Sequence, residues 1–159
     1  MRRSIRALAA ALTVAILLPV ATLAAWPVAN KSSWVSQSYK TVHKAYDIAS
    51  YSGTPVVPMR NGTVVFAGWK NNCGGYQVWV SHGSGLYSAA YHLRSESVSR
   101  GQKVTAQVTR LGRVGSSGCA SGAHVHFEVW RGYPWASGSY RVSPWNYIAS
   151  GSYFPSRYR

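Results

Sequence analysis

The chain has 159 residues and carries 17 Lys and Arg against three Asp and Glu, a formal net charge of +14 at pH 7. This length suits one compact domain and is short for two, and the strongly basic balance favours anionic polymers as partners. The sequence contains no helix-based or zinc-finger DNA-binding motif, so we expect no nucleic-acid partner.

Residues 1–25 have the arrangement of a secretory signal peptide. Three arginines precede an apolar run that ends in small residues, and such segments are removed from the mature protein. We expect cleavage after Ala24 or Ala25, which leaves residues 26–159 as a single domain with no stable membrane anchor. The alternative is a retained anchor, because the apolar stretch is nearly long enough to span a bilayer. Export places the mature chain outside the cell or in its envelope, where anionic polymers are the expected partners.

His43 lies four residues before Asp47, the only Asp in the chain. By itself, an Asp close to a His is more often a turn or capping residue. Further histidines occur later in the chain, and two imidazoles with one carboxylate make a zinc site that leaves a fourth position open for water. The pair is therefore a candidate part of a catalytic metal site.

Short β-rich runs, separated by Gly, Asn, Ser and Pro, make up most of the chain after this pair. No amphipathic helical period persists over more than two turns. The pattern predicts the all-β class, with a single antiparallel β-sheet domain resembling a sandwich or open barrel, whose loops carry the functional site. The clearest runs are residues 62–69, 76–82, 86–93, 103–112 and 124–130.

Cys73 and Cys119 are the two cysteines of the chain. In an exported protein a disulfide between them is the default expectation. The alternative is a free thiol, including a nucleophilic cysteine paired with a histidine. Alkylation would abolish activity of that kind, and chelation would not.

Two further histidines lie in or beside β-rich runs. His92 closes the run in AAYHL, and by itself it is more often a satisfied strand histidine. Considered with the other histidines, it is the natural second imidazole of an active site. His82 precedes a glycine turn, and we interpret it as structural.

The segment SGAHVHFEVW, residues 121–130, combines strand alternation with chemically active side chains. Alternate positions share a face, so apolar residues lie on one side and His124, His126 and Glu128 on the other. If one imidazole binds zinc, the other is placed to act as a general acid and base. Glu128 would then hydrogen-bond a ligand histidine, unless it is a solvated carboxylate at the strand end.

In this order, the motifs resemble the lysostaphin/LytM-type zinc metallopeptidases, which cut peptidoglycan peptides. The matching pieces are HxxxD at 43–47, HGSGLYSAAYHL at 82–93 and VGSSGCASGAHVHFEV at 114–129. The resemblance extends from about Val35 to Ile148, and the ordered set is more specific than any one motif.

The resemblance implies a β-sheet fold with a narrow groove that holds one zinc ion. His43, Asp47 and His126 would be the metal ligands, and His124 and His92 the catalytic imidazoles. The implied function is a secreted zinc-dependent endopeptidase that hydrolyses peptide bonds of bacterial peptidoglycan, in the stem peptide or cross-bridge. The alternative is a non-catalytic wall-binding or regulatory module of the same fold, although such relatives generally lose the ligands that are present here.

The last segment, residues 131–159, is rich in aromatic residues and contains four arginines. Aromatic faces can stack on sugars, and arginines can bind phosphates. Trp135, Tyr140 and Tyr153 are therefore candidate wall-docking residues, with packing of a closing loop as the alternative.

Overall fold

The computed structural model describes residues 24–148. Most of the expected signal peptide and Tyr153 lie outside the described residues. Apart from one short 3-10 helix, the regular secondary structure of the described part is all β-strand, which confirms the all-β prediction. Its elements are β1 (Trp34–Gln37), β2 (Tyr46–Ala49), β3 (Pro55–Val56), β4 (Gly62–Lys70), β5 (Gly75–Ser81), β6 (Leu86–Glu96), β7 (Lys103–Val104), β8 (Gly112–Val114), β9 (His124–Arg131), β10 (Tyr140–Val142) and a 3-10 helix (Pro144–Asn146).

The strands form one antiparallel sheet that does not close into a barrel. Its main order is β1-β2-β9-β6-β5-β4-β7, while β10 pairs with β9, and β8 pairs with both β3 and β6. This confirms the single antiparallel sheet and places β9 between β2 and β6. Among the described residues, no helix is long and apolar enough to cross a membrane.

The run at residues 103–112 is not the single strand that its sequence predicts. Only its two ends pair, in β7 and β8, and the residues between them form turns. The Thr105 carbonyl accepts hydrogen bonds from the N–H groups of residues 108 and 109, and Gln107 has a φ of 58°. Such local bonds compete with strand pairing and turn the chain.

The main core lies on one face of the sheet, and β9 contributes to it as its alternation predicts. Val125 and Val129 are fully buried and Phe127 is 1% exposed. Full burial of an apolar side chain of this kind contributes about 1.5 to 3 kcal/mol. The same alternation turns the polar side chains of β9 to the opposite face.

That opposite face carries a second, smaller apolar cluster of Trp79, Ala89, Tyr91 and Trp130. The loop between β9 and β10, residues 132–139, lies against it: the Tyr133 ring has its centroid 6.1 Å from that of Trp79. We call this segment the β9–β10 loop. It covers part of the sheet face on which the histidines lie.

A disulfide joins Cys73 to Cys119, 46 residues apart. The Cys119 N–H donates to the Cys73 carbonyl at 2.9 Å, and Gly118 approaches the same carbonyl so closely that a Cβ would overlap it. Closure of a loop of this length contributes about 4 kcal/mol in the chain-entropy model. With both cysteines bonded, neither is available as a nucleophile.

A matched pair of substitutions tests the packing of β9. Val125→Ala should lower the free energy of unfolding by about 2 to 3 kcal/mol, because it removes buried methyl groups and leaves a cavity. Val42→Ala, at a side chain that is 89% exposed, should change it by less than about 0.5 kcal/mol. Urea denaturation of both variants measures the difference, and equal midpoints would contradict the assignment of Val125 to the core.

Candidate metal centre

The register of β9 with its two neighbours brings the polar side chains together. Asp47 on β2 is directly opposite His126, and Tyr91 on β6 is opposite His126 from the other side. Residues that pair directly share a sheet face. The structure thus gathers His43, Asp47 and His126, whose ligand atoms all lie within 4.8 Å of one another.

The Asp47 carboxylate is the centre of this group. Its Oδ1 lies 2.8 Å from Nδ1 of His126, 3.2 Å from Nε2 of His43 and 3.9 Å from Nε2 of His124. His92 completes the arrangement, with its ring centroid 4.9 Å from that of His124. All five residues that the resemblance assigned to the site are therefore adjacent.

In each of the four imidazoles, one ring nitrogen lies near an oxygen that can only accept a hydrogen bond. We call this the outer nitrogen, and the other the inner nitrogen. His43 Nδ1 lies 3.2 Å from a backbone carbonyl, His92 Nδ1 2.8 Å and His124 Nδ1 2.9 Å from others, and His126 Nε2 lies 3.4 Å from Glu128 Oε1. We assign the proton to these outer nitrogens, since hydrogen-bond networks decide the tautomer. The inner nitrogens can then present lone pairs to the site.

This donor set fits a metal ion. His43 Nε2 is buried and has no hydrogen-bond donor, and it faces a carboxylate oxygen that also offers only lone pairs. Two such groups in contact require a proton or a cation between them. Two imidazoles and one carboxylate are the protein ligands typical of catalytic zinc sites. His43, Asp47 and His126 could therefore hold a metal ion.

The charges at the site also suit a cation. Burial lowers the pKa of His126, but hydrogen bonds and attraction to Asp47 and Glu128 raise it to about 9. Burial raises the pKa of Asp47, yet contact with His126 and the other imidazoles lowers it overall. In the metal-free protein His126 is therefore a cation between two carboxylates, and a metal would replace one of its protons.

His92 reaches the site through an irregularity in β6. The pairing of Tyr76 with Leu93 and of Val78 with Ala90 leaves one extra residue on β6, and His92 has a φ of 62°. Adjacent residues of a regular strand point to opposite faces, but at a bulge both can lie on one. The Tyr91 and His92 rings consequently lie 5.5 and 5.9 Å from the His126 ring.

The environment of His92 keeps it neutral near pH 7. Burial is the largest influence and lowers its pKa, while the hydrogen bond to the Ser117 carbonyl acts in the opposite direction. A neutral imidazole can accept a proton at its free nitrogen. His82 lies outside this group, and its two ring nitrogens contact the Asn61 carbonyl at 3.0 Å and Ser88 Oγ at 2.8 Å.

Glu128 lies beside the site and is buried. It is therefore not the solvated carboxylate at the strand end that was the alternative to a contact with a ligand histidine. Besides His126, it contacts Tyr91, Trp130 and Arg141. No sequence motif marks these three partners. The one local signal was the strand alternation, which places Trp130 two residues after Glu128 on the same face.

Of the candidate docking residues, the structure describes Trp135 and Tyr140, and Trp135 lies beside this centre. Trp135 and Tyr140 are 55% and 61% exposed. Trp135 also lines a cavity of about 180 Å³ together with Tyr91, His92 and His126. The β9–β10 loop therefore forms one wall of an open space beside the candidate metal ligands.

The chain matches one peptidase family and several of its curated relatives. The model of Peptidase family M23 matches residues 41–140. The chain is 34% identical over 88 residues to lysostaphin of Staphylococcus simulans, a match that covers 55% of the chain and 18% of lysostaphin. It is 36% identical over 93 residues to the peptidoglycan DD-endopeptidase ShyA of Vibrio cholerae, covering 58% of the chain and 21% of ShyA. The chain thus matches about a fifth of the length of these curated relatives.

Solved structures share the fold. The structure of lysostaphin from Staphylococcus simulans has a TM-score of 0.64 at 27% identity, and covers 75% of this chain and 49% of that one. A crystal structure assigned to peptidase M23 of Pseudomonas aeruginosa has a TM-score of 0.62 at 33% identity, covering 70% and 46%. The predicted resemblance to lysostaphin-type peptidases is confirmed.

The raised pKa of His126 predicts how the stability of the metal-free protein depends on pH. Its pKa is about 9 in the folded chain, against an ordinary value of 6.5. The stabilisation that it provides is fully present below pH 6.5 and is lost as the pH rises through about 9. The free energy of unfolding should therefore fall between pH 6.5 and pH 9.5, as measured by urea denaturation in a chelator.

His126→Asn is the control for this measurement, because it removes the titrating group and leaves the other ionisable side chains in place. Its stability should change less over the same pH interval. Parallel pH curves for the two proteins would contradict the proposed contacts of His126 with the two carboxylates.

Proposed function

The chain belongs to peptidase family M23, and from this membership we propose that it is a secreted zinc-dependent endopeptidase that cuts peptide bonds of bacterial peptidoglycan, in the stem peptide or cross-bridge. Residues 1–25 would be its signal peptide and residues 26–159 its mature domain. The single observation that carries the proposal is the convergence of the side chains of His43, Asp47 and His126, with two further imidazoles beside them.

The names of the matched relatives support peptidoglycan as the substrate. ShyA is named a peptidoglycan DD-endopeptidase, and a protein 33% identical to this chain over 88 residues is named the DD-carboxypeptidase/endopeptidase Mpg of Neisseria meningitidis. The family match at residues 41–140 contains the segments that hold the candidate ligands. A secreted, basic protein would also meet anionic polymers in the same cell envelope.

In this proposal His43, Asp47 and His126 hold one zinc ion. When bound, zinc supplies Lewis acidity, which polarises a carbonyl group and makes water acidic near neutral pH. Three protein ligands leave a coordination position open, as catalysis requires. Glu128 accepts a hydrogen bond from His126 and keeps the other ring nitrogen directed to the metal side.

His124 and His92 would carry the proton transfers. Each has its outer nitrogen fixed by a backbone carbonyl, so the inner nitrogen is held toward the site. Such a nitrogen can accept a proton from the attacking water and return it to the leaving amine. Once protonated, it becomes an N–H donor that stabilises negative charge on the carbonyl oxygen.

A non-catalytic binding module of the same fold is the alternative. A module of that kind needs the sheet and the groove but has no need of the metal donors. The complete set of His43, Asp47 and His126, in which the buried Nε2 of His43 faces a carboxylate oxygen without a hydrogen-bond donor, favours catalysis.

Activity against purified peptidoglycan tests the proposal. Wild-type protein should release new amino groups, lose this activity in a chelator and regain it with zinc, because the metal supplies the Lewis acid. His126→Ala should lower the rate by about 100- to 1,000-fold, the size of effect typical of losing a main electrostatic contribution. His82→Asn, at a histidine outside the site, is the control and should retain most of the activity. No release by zinc-loaded protein from walls with several types of cross-bridge would favour the binding module.

We also propose that aromatic side chains on the C-terminal side dock the protein to the wall. Replacing Trp135, Tyr140 and Tyr153 with Ala should reduce the fraction of metal-free protein that pellets with cell walls, because aromatic faces pack on sugar rings. Trp145→Ala, at a side chain that is 67% exposed, is the control. Unchanged pelleting of the triple variant would contradict docking by these residues.

A further inference from the structure

Glu128 is a buried carboxylate with an unusually complete set of donors. Oε2 accepts hydrogen bonds from Tyr91 Oη at 2.6 Å and from Trp130 Nε1 at 2.7 Å. Oε1 accepts from Arg141 Nη1 at 2.8 Å and lies 3.4 Å from Nε2 of His126. Three of these four contacts therefore fix the carboxylate, and the fourth connects it to a candidate metal ligand.

The donors are themselves held by the β9–β10 loop. Trp135 Nε1 donates to Tyr91 Oη at 3.1 Å. The Arg141 guanidinium lies over the rings of Trp130 and Trp135, 5.4 and 5.5 Å from their centroids. A continuous chain of contacts thus connects an exposed residue of the groove wall to His126.

Burial of Glu128 requires an explanation beyond packing. An unpaired buried carboxylate is costly, and even a paired one seldom stabilises a fold more than apolar side chains of similar volume. Glu128 lies beside an apolar cluster that could have been completed by an apolar residue. Its position is understandable if its purpose is to orient the imidazole next to it.

We propose that Tyr91 and Arg141 are positioning residues of the metal centre, which fix the Glu128 carboxylate so that the His126 ring keeps Nδ1 directed at the metal. This inference rests on the proposed function, in which His126 is a zinc ligand. Trp135 is the outer end of the same network. A peptide segment in the adjoining cavity would lie against Trp135 and Tyr91. The same network would then hold both the cavity wall and the candidate metal ligand His126 in place.

Zinc affinity of the complete mature protein tests the inference, measured by competition with a coloured chelator and without substrate. Loss of a direct outer partner of a metal ligand typically costs about 10- to 100-fold in affinity, and we expect this for Glu128→Gln. Tyr91→Phe and Arg141→Met act one contact further away, and each should raise the zinc Kd by about 3- to 10-fold. Arg141→Lys, which retains the charge, should recover part of the loss.

Matched controls come from the same strands. Tyr87→Phe removes a hydroxyl from the same face of β6, where the Tyr87 ring contacts Tyr133. Arg131→Met removes a guanidinium that bonds Tyr147 instead of Glu128. Both controls should keep the wild-type zinc Kd within twofold. The visible absorption of Co²⁺ in the site is the second readout, because it reports ligand geometry and should change in Tyr91→Phe but not in Tyr87→Phe.

The outcomes separate this inference from the proposed function. Equal zinc Kd values and equal Co²⁺ spectra for Tyr91→Phe and Tyr87→Phe would overturn the positioning role and leave the peptidase proposal standing. Zinc binding that follows the expected order, without cleavage of peptidoglycan, would support the positioning role and overturn the peptidase proposal. Failure of the wild-type protein to bind zinc would overturn both.

Discussion

The Asp47 carboxylate is the constraint on which the candidate site depends. It lies on β2, directly opposite His126 on β9, and its Oδ1 is within 4 Å of three imidazoles. The chain has only three acidic residues among 17 basic ones, and two of the three, Asp47 and Glu128, contact the same His126 ring. In so basic a protein, negative charge is concentrated where it can hold a cation and orient its ligand. The candidate metal site therefore depends on the sheet register, because a shift of β2 by one residue would turn Asp47 to the core.

The same contacts connect stability with metal binding. Burial lowers the pKa of His126, but contact with the two carboxylates raises it to about 9, so that without metal the ring carries one N–H toward each carboxylate. A metal bound by His126 would take over part of that role, and the ring would then need only one proton, on the nitrogen that faces Glu128. Proton and metal would then compete for the His126 Nδ1 position, which would make metal affinity dependent on pH.

Sequence patterns predicted the fold class and the apolar face of β9, because alternation in a half-buried strand is a local property. The motif resemblance also identified the five residues that the structure brings together. Other features depend on tertiary packing. Tyr91 and Arg141 reach Glu128 from 37 and 13 residues away, and no local period marks them. The sequence pattern did not predict the bulge at His92 either, because a regular β6 would have placed Tyr91 and His92 on opposite faces. Residues 103–112 do not form a single strand, because side-chain and backbone hydrogen bonds within the segment turn the chain.

The position of His92 is maintained by loops outside the regular sheet. A non-glycine residue with positive φ costs on the order of 1 to 3 kcal/mol and persists where its surroundings determine it. Here the His92 N–H donates to the Gly74 carbonyl, and its Nδ1 donates to the Ser117 carbonyl. These two carbonyls lie one and two residues from Cys73 and Cys119, which the disulfide joins. The covalent bond therefore fixes together the two segments that hold the imidazole. A thiol pair in the same place would leave them joined only by hydrogen bonds, so an oxidising environment outside the cell suits the geometry of this site.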